Sequence, residues 1–567
     1  MHINFSKTRH FSILIVFCAL FTVLIARLLY IQIIRSKQFS ALADKQHKLF
    51  LRLEPQRGSI YDRRNRVLAI YMDAPSIYAV PREISDKENA AGVLAEKLGI
   101  DRKQLAQKLQ KDNYFAWVKR KVDPETADKI EKLGIRGVLL MDEPKRFYPG
   151  GKLSCHVLGM TGVDNEGLEG IELYYDRELK GEPGWRLSSR DAKRREVISF
   201  QRGFVPAREG KSVVLTVDEV IQHIIEKEIE YLLQQYKPAA VSVVALNPRT
   251  GEILGMANYP WFDPNDISGV DASAVRNRAI TDSFEPGSVF KVVTASAALE
   301  EGIVDFDSEF YCEKGAYKIG KRTLHDYRPY GTLKFSEIIE KSSNIGTVKV
   351  AGKLGREKLA EYIKRFNFGE TTGIDLPGEA AGIIRNPSGW TYVDMTTIPM
   401  GQGIAVTALQ LASCVSVIAN DGALMRPYVV KKFLDKEGAA IEENKPRTVR
   451  RVISKETARK VKKLLAGVVE KGTGTRARLE NFTACGKTGT AEKVNPRGGY
   501  YKNKYISSFI GFAPCEKPAV ALVVCVDEPV REHFGSRVAA PAFKRMMEKI
   551  LPYLEIESDK GETKKSS

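Results

Sequence analysis

The stretch FEPGSVFKVVTASAALEEG, residues 284–302, places a serine and a lysine one helical turn apart, at the start of an apolar, alanine-rich segment. Pro286-Gly287 is a turn dipeptide, so the sequence predicts a helix with Ser288 in its first turn. Side chains at positions i and i+3 of a helix share a face, with Cβ atoms about 5–6 Å apart. Ser288 is therefore either a helix cap beside a solvated Lys291, or a nucleophile with Lys291 as its base.

Two further short motifs help to choose between these interpretations. Ser342-Ser343-Asn344 is an S-x-N triplet, and Lys487-Thr488-Gly489 is a K-T-G triplet followed by Thr490. Either triplet alone is typical of a turn, a helix cap or a strand end. Each pattern occurs once in the chain, and their order is S-x-x-K, then S-x-N, then K-T-G. This order favours a catalytic interpretation of all three.

Apolar runs with the pattern of strands flank these motifs. AAVSVVALNPRTGEILGMANYP, 239–260, has the pattern of a hairpin with turn residues at its centre. YISSFIGFAP, 505–514, and AVALVVCVDEP, 519–529, indicate two more strands, and VTALQLASCVSVIAND, 406–421, indicates a helix. Strands at both ends with helices between them predict one sheet covered by helices, of the α+β or α/β class. The K-T-G triplet would then lie on an edge strand beside a cleft.

The N-terminal region contains one long apolar segment, FSILIVFCALFTVLIARLLYIQII, residues 11–34. This segment is long enough to cross a bilayer core of about 30 Å. Its one charge, Arg27, lies near the end, where a long side chain can reach the interface. A cleaved signal peptide is the alternative, with Ala41-Leu42-Ala43 as the cleavage site. The apolar run exceeds the roughly 7–15 residues of a signal peptide, so we expect an uncleaved single span.

The charge, cysteine and histidine content argues against several classes of protein. The net charge is +18, but the basic residues are scattered and no DNA- or RNA-binding signature is present, so we expect no nucleic-acid partner. The seven cysteines show no C-x-x-C spacing and mostly lie in apolar runs, although one disulfide pair remains open. The seven histidines lack metal-ligand spacing, and His325 is interpreted as a loop residue.

The three motifs in this order resemble the signature of penicillin-binding proteins and class A β-lactamases. Almost the whole chain is similar to a class B penicillin-binding protein. The matching stretches are RGSIYDRRNRVLA (57–69), GLEGIELYYDRELKG (167–181), RREV (194–197), NPRTGEILGMANYP (247–260), GQGIAVTALQLA (401–412) and VAAPAF (538–543). Glu285 and YISSFIGFAP are more similar to the division-type, FtsI-like branch. Gly535-Ser536-Arg537 departs from the two glycines often found there, which leaves the shape of that loop open.

The resemblance implies a multi-domain α+β fold. Its transpeptidase domain would have helices packed on an antiparallel, β-lactamase-like sheet. The implied order is a cytoplasmic tail (1–10), a transmembrane helix (11–34), a mixed pedestal or dimerisation-type domain (35–212), the transpeptidase domain (213–552) and a disordered tail (553–567).

The resemblance also implies a D,D-transpeptidase that cross-links peptidoglycan stem peptides through a serine ester. Ser288 would be the nucleophile and Lys291 its general base. Ser342 would relay a proton to the leaving D-alanine, and Asn344 would hold the amide of the donor peptide.

The K-T-G strand would bind the other end of the donor. Lys487, Thr488 and Thr490 would hold its terminal carboxylate, with Gly489 between them in the strand. The backbone N–H groups of Ser288 and Thr490 would form an oxyanion hole.

The implied partners are peptidoglycan stem peptides on a lipid II-derived glycan, β-lactams, an FtsW-like glycosyltransferase of the SEDS type and other division proteins. No cofactor or metal is expected. Cross-linkable stem peptides lie outside the cytoplasmic membrane, so the residues after Ile34 would lie there too. The positive charges around the span do not themselves favour a cytoplasmic N-terminus.

The sequence leaves four alternative functions open. The chain could be an elongation-type transpeptidase, or a β-lactamase or penicillin sensor, although no motif identifies a water-activating glutamate. A bifunctional class A enzyme would need an acidic glycosyltransferase motif, which residues 35–212 lack. A non-catalytic division scaffold would not need the intact motifs. The sequence leaves open the diamine that accepts the cross-link, the activation mechanism and the oligomeric state.

Overall fold

The computed structural model describes residues 4–39, 48–190, 196–197, 204–320 and 322–560. The chain forms two compact units, one from 1–55 with 181–209 and the other from 56–180 with 210–567. Arg194 and Arg195 of the RREV stretch, and residues 561–567 of the predicted tail, lie outside the described residues.

The first unit contains the N-terminal helix and a small sheet. Asn4–Leu29 is α-helical and continues into a π-helical segment, Tyr30–Ile34. Within the described ranges, Arg9–Ile34 is the one helix long and apolar enough to cross a membrane, which confirms the predicted apolar helix. The strands of the sheet are Lys48–Leu53, Gly184–Arg190, Glu196–Val197 and Phe204–Val205.

The second unit contains an antiparallel sheet of five strands. β1 (Ala240–Leu246) and β2 (Ile253–Tyr259) form the predicted hairpin. β3 (Cys485–Val494), β4 (Tyr500–Ala513) and β5 (Val520–Asp527) come later in the chain. The spatial order is β2-β1-β5-β4-β3, so β3, which carries the K-T-G triplet, is an edge strand as predicted.

Helices cover both faces of this sheet. α1 (Glu219–Tyr236) and α6 (Ala539–Tyr553) pack on one face. The other face meets a core that includes α2 (Lys291–Glu300), α3 (Asn344–Leu354), α4 (Ala408–Ala419) and α5 (Lys455–Glu470). Successive strand residues alternate between the two cores, as the pleat requires. This arrangement confirms the predicted α+β fold with helices on an antiparallel sheet.

A second sheet of this unit joins strands that are distant in sequence. Ser212–Leu215 pairs in parallel with Ile60–Tyr61 and antiparallel with Val430–Leu434. The predicted domain boundary at residues 212–213 falls inside this strand. The remaining strands are Val67–Ala79, Ala116–Lys119, Val138–Phe147 and Ala440–Glu443. The helices Lys87–Leu98, Arg102–Gln110 and Pro124–Glu131 share a buried core with this sheet.

Shorter elements complete the second unit. The short helices include Cys155–Leu158, Gly170–Tyr174, Asp176–Lys180, Ala272–Val275, Arg278–Thr281, Phe335–Glu340, Arg356–Arg365 and Asp394–Thr397. The short strands are Met160–Thr161, Gly167–Glu169, Glu309–Tyr311, Ala316–Ile319, Arg322–His325, Thr332–Lys334, Ala423–Met425 and Thr448–Arg451.

A buried ion cluster fixes two of the stretches that resemble the family. Glu172, which is fully buried, accepts a hydrogen bond from Arg57 Nε at 2.6 Å and another from Arg146 Nε at 2.6 Å. A second contact of Arg57 joins its Nη1 to Asp176 Oδ1 at 2.7 Å. The Glu172 carboxylate therefore balances the positive charges of two buried guanidinium groups.

The C-terminal segment contacts the second unit beyond the end of α6. Asp559 accepts a hydrogen bond from the Thr483 N–H at 2.6 Å, and Lys560 donates to the carbonyl of Leu479 at 2.9 Å. Residues 553–560, which the sequence assigns to a disordered tail, are thus packed against the domain in the structure.

Candidate active site

Ser288 lies in a 3₁₀ turn, Gly287–Phe290, directly before α2, rather than in the first turn of the helix itself. Residues i and i+3 of a 3₁₀ helix are eclipsed, which aligns Ser288 with Lys291. No side chain caps the start of the turn or of α2, so Ser288 is not a helix cap. Its partly buried hydroxyl has no hydrogen-bond partner among the described residues.

Gly287 allows this turn to approach the edge strand closely. Its φ is +58°, and a Cβ there would lie 3.2 Å from Ala491 Cβ and 3.3 Å from the carbonyl oxygen of Thr490. The Gly287 N–H donates to the carbonyl of Gly401 at 3.0 Å. A larger residue would be strained in conformation and would also press against β3.

Lys291 is fully buried beneath the S-x-N triplet. Its Nζ donates to the Ser342 carbonyl at 2.7 Å and to Asn344 Oδ1 at 2.7 Å, and it lies 3.3 Å from Ser342 Oγ. Burial disfavours the charged ammonium and lowers the pKa of Lys291 to about 7. At neutral pH the amine is therefore able to accept a proton.

Ser342 and Asn344 flank the start of α3. Ser342 has a φ of +58°, an uncommon conformation for a residue other than glycine. Ser343 caps the helix by accepting from the Gly346 N–H. Asn344 Nδ2 donates to the carbonyl of His325 at 3.0 Å. His325, which we expected on a loop, ends a short strand with an exposed side chain.

Lys487 reaches the same serine from the other side. It is fully buried in β3, and its Nζ donates to Ser342 Oγ at 2.9 Å and to the Thr488 carbonyl at 3.2 Å. Burial and the positive charge of Lys291 lower the pKa of Lys487 well below its usual value. The Ser342 hydroxyl therefore lies between two buried amines.

The rest of the K-T-G strand forms one edge of the cleft. Thr488 Oγ1 is 2.9 Å from Thr473 Oγ1, and Thr490 Oγ1 accepts from the Gly535 N–H at 2.9 Å. At Gly489, a Cβ would lie 2.3 Å from Ser508 Oγ and 2.9 Å from Val289 Cγ1. At Gly489 the strand thus packs against the 3₁₀ turn of Ser288 with no room for a side chain.

A cleft of about 520 Å³ opens above these residues. Ser288, Ser342, Asn344, Thr488, Gly489 and Thr490 line it, while the two buried lysines lie beneath. Tyr327 and Phe534 face each other across the rim with ring centroids 5.8 Å apart. The rim of the cleft also carries four cationic residues: Arg328, Lys341, Lys471 and Arg537. The structure therefore brings all eight residues selected from the sequence into one site.

Family comparisons agree with this architecture. Residues 52–215 match the model of the penicillin-binding protein dimerisation domain, and residues 241–548 match that of the penicillin binding protein transpeptidase domain. The chain belongs to the class B penicillin-binding proteins. It is 36 % identical to stage V sporulation protein D of Bacillus subtilis, over 96 % of this chain and 85 % of that protein.

Other relatives and solved structures support this membership. The chain is 35 % identical to the probable peptidoglycan D,D-transpeptidase PenA of Neisseria meningitidis, over 96 % of this chain and 92 % of PenA. It is 32 % identical to the peptidoglycan D,D-transpeptidase FtsI of Escherichia coli, over 94 % and 90 %. The crystal structure of penicillin binding protein 3 from Mycobacterium tuberculosis with aztreonam superposes with a TM-score of 0.71 at 28 % identity, covering 90 % of this chain and 98 % of that one.

Three contacts of this class B penicillin-binding protein were not anticipated from its sequence. Asp326 accepts hydrogen bonds at the start of α3, Thr473 contacts Thr488, and Tyr327 faces Phe534. These residues occur in no recognisable motif. Only the folded chain brings them to the motif residues.

Glu285 joins the 3₁₀ turn of Ser288 to two neighbouring segments. Its carboxylate accepts from the Gly403 N–H at 2.7 Å and from the Tyr500 hydroxyl at 3.0 Å. Burial raises the pKa of Glu285 above its usual value. The residue used as a mark of the FtsI-like branch thus has a structural role beside Ser288.

The loop at Gly535-Ser536-Arg537 keeps its contact with β3 despite its departure from the family pattern. The Gly535 N–H donates to Thr490, Ser536 lines the cleft, and Arg537 pairs with Glu532 at 2.8 Å. A Cβ at Gly535 would lie 2.1 Å from the carbonyl oxygen of Gly489. One glycine therefore meets the steric demand of this position.

One cysteine pair, left open by the sequence, is bonded in this penicillin-binding protein. Cys485, two residues before Lys487, forms a disulfide with Cys515, with Cα atoms 5.6 Å apart. The bond ties the start of β3 to the turn after β4. The remaining cysteines are free: Cys18, Cys155, Cys312, Cys414 and Cys525.

Proposed function

We propose that this protein is a membrane-anchored, serine-type peptidoglycan D,D-transpeptidase that cross-links stem peptides during septal wall synthesis and is acylated by β-lactams. The observation that carries this proposal is the contact of the Ser342 hydroxyl with the buried amines of Lys291 and Lys487, in the cleft that Ser288 also lines. Such a group of side chains can both activate a nucleophile and return its proton to a leaving group.

In the acylation step, Ser288 Oγ attacks the carbonyl carbon of the penultimate D-alanine, and neutral Lys291 takes the hydroxyl proton. The N–H groups of Ser288 and Thr490 stabilise the oxyanion, each by about 2.7–4 kcal/mol. The C–N bond then breaks. The proton passes through Ser342 to the departing amine of the terminal D-alanine, and an ester to Ser288 remains.

Donor binding uses the other lining groups. Asn344 holds the donor peptide's amide, while Lys487, Thr488 and Thr490 hold its terminal carboxylate. Gly489 lets β3 pack against the turn that carries Ser288, and an extended peptide can lie along this edge strand. Recognition of this kind adds a strand to an exposed sheet edge.

In the second step, an amine of an acceptor stem peptide attacks the ester and forms the cross-link. The ester conserves the energy of the original peptide bond, so the exchange needs no nucleotide. When water attacks instead, the product is that of a D-Ala-D-Ala carboxypeptidase, which we propose as a side activity.

β-Lactams would acylate Ser288 as analogues of the donor. Penicillin binding protein 3 of Mycobacterium tuberculosis, which shares this fold and family, was crystallised with aztreonam and with ampicillin. A slowly hydrolysed penicillin adduct would distinguish a transpeptidase from a β-lactamase.

The membrane arrangement follows from the substrate. Residues 11–34 would span the cytoplasmic (inner) membrane once, with 1–10 in the cytoplasm. The pedestal (35–212) and the transpeptidase domain (213–552) would lie outside it. Supporting this, Arg9–Ile34 forms one apolar helix. The stem peptides available for cross-linking also lie on that side.

The septal assignment rests on the FtsI-like residues and on the similarity to FtsI of Escherichia coli. An elongation-type role is the alternative. We propose that an FtsW-like glycosyltransferase of the SEDS type supplies the glycan strands, together with other division proteins.

The experiment that tests the proposed function uses the purified full chain in detergent with labelled penicillin. We expect a covalent adduct that persists for many minutes, and D-alanine release from a pentapeptide donor that depends on Ser288. Rapid release of hydrolysed penicillin would instead identify a β-lactamase.

A further inference from the structure

Asp326 holds the S-x-N segment through hydrogen bonds to the residues that follow Ser342. Its Oδ1 accepts from the backbone N–H of Asn344 and, at 3.2 Å, from that of Ile345. Its Oδ2 accepts from Ser343 Oγ at 2.7 Å. One partly buried carboxylate thus contacts each of the three residues that follow Ser342.

This contact fixes the start of α3, a helix of 11 residues. A carboxylate at a helix N-terminus is favoured by the partial positive charge of the free N–H groups there. Ser342, immediately before, has a φ of +58° and needs such surroundings to keep that conformation. Asp326 is itself fixed, because its N–H donates to the carbonyl of Gly315 at 3.1 Å.

The same carboxylate is a negative charge close to the buried amine of Lys291: it accepts from the Asn344 N–H, and Asn344 Oδ1 accepts from Lys291 Nζ at 2.7 Å. Around Lys291, the α3 segment presents the uncharged Ser342 and Asn344, and β3 presents Lys487. Within the described part of the chain, Asp326 is the carboxylate whose charge raises the pKa of Lys291 against the effect of burial.

Asp326 also acts on Cys312 and Tyr330, where the cations Lys349, Arg328 and Lys341 act with the opposite sign. At Lys291 itself, burial lowers the pKa and the Asp326 carboxylate raises it.

We propose that Asp326 is a positioning residue of the acylation step: it holds Ser342 and Asn344 in place and supplies the counter-charge that keeps Lys291 an effective base at neutral pH. This inference rests on the proposed function, because it takes Lys291 as the group that accepts the Ser288 proton.

The test is the pH dependence of the second-order rate of acylation by labelled penicillin, measured with the full chain and with Asp326→Asn. Asparagine keeps an oxygen that accepts from the Asn344 and Ile345 N–H groups, so the variant is expected to fold. Without the negative charge, the Lys291 ammonium is less stable and its pKa falls. The acidic limb of the profile should move to lower pH by about one unit. The rate on the plateau should fall about tenfold, because a weaker base removes the proton less well.

Two control variants separate charge from structure. Asp326→Glu keeps the charge and should return the acidic limb to its wild-type position, even if its plateau is lower. Ser343→Ala removes a hydrogen bond to Asp326 but no charge, so it should leave the limb in place. Thermal unfolding of each variant shows whether it is folded.

Each outcome has a distinct meaning. If Asp326→Asn is folded and the acidic limb of its acylation profile lies at the same pH as in the wild-type protein, the inference is wrong. The proposed function would remain intact. A wild-type protein that penicillin does not acylate would overturn the proposed function, and this inference with it.

Discussion

The Ser342 hydroxyl contacts two lysines at once: Lys291 Nζ lies 3.3 Å and Lys487 Nζ 2.9 Å from its oxygen. Both amines are fully buried, and burial lowers the pKa of each. Two amines at this spacing cannot both be charged without strong repulsion. The pair is thus suited to hold one proton that moves through Ser342.

The first prediction concerns the pH dependence of acylation in the wild-type protein. Lys291 is an effective base only when neutral, and its pKa is about 7. The acylation rate should therefore be constant above that pH and fall about tenfold per pH unit below it. Stopped-flow or quenched labelling with a fluorescent penicillin, from pH 5 to pH 9, measures this profile. A rate independent of pH across the acidic half of this range would contradict the role of Lys291.

The second prediction concerns the buried cation of β3. Lys487→Arg should reduce acylation at least a hundredfold, because a planar guanidinium does not fit a fully enclosed amine site and cannot lose its proton. Lys493→Arg is the matched control on the same strand, where the side chain is partly exposed and pairs with Asp527 at 2.8 Å. The control should keep its acylation rate within about twofold. Equal losses in both variants would indicate a general effect on β3.

The third prediction concerns the close approach of β3 to the 3₁₀ turn of Ser288. Gly489→Ala would place a Cβ 2.3 Å from Ser508 Oγ and 2.9 Å from Val289 Cγ1. We expect a destabilisation of about 1–3 kcal/mol together with slower acylation. Gly352→Ala, in the last turn of α3 with no atom within 4 Å of the new Cβ, should instead stabilise by about 0.5–1 kcal/mol. Chemical denaturation of the two variants provides the comparison.

The fourth prediction concerns the buried ion cluster. Glu172→Gln leaves the guanidinium groups of Arg57 and Arg146 without their shared carboxylate and should cost about 3–5 kcal/mol. Glu182→Gln breaks an exposed pair with Arg208 and should change stability by less than about 1 kcal/mol. Similar denaturation midpoints for the two variants would show that the cluster is not structurally important.

Much of this fold could be predicted from its sequence. The pattern of apolar runs identified the hairpin of β1 and β2. Lys487 comes just before the two C-terminal apolar runs in the sequence, and this position indicated an edge strand. The local conformations of Ser288 and Ser342 could not be predicted. A 3₁₀ turn and a positive φ at serine are set by contacts with distant segments rather than by local preference.

Long-range pairings could not be predicted from the sequence for a similar reason. Asp326 contacts Asn344 across a turn and a helix, and Cys485 reaches Cys515 through the pairing of β3 with β4. Neither pair has a spacing that marks it. The three short motifs were informative because the proposed chemistry uses all of them together.

The central claim is that Ser288 is the nucleophile. Mass spectrometry of the intact protein and of its peptides, after treatment with penicillin, tests this claim most directly. We predict one added penicilloyl group, located on the peptide that contains Ser288, and no adduct in Ser288→Ala. An adduct that persists in Ser288→Ala would contradict the account.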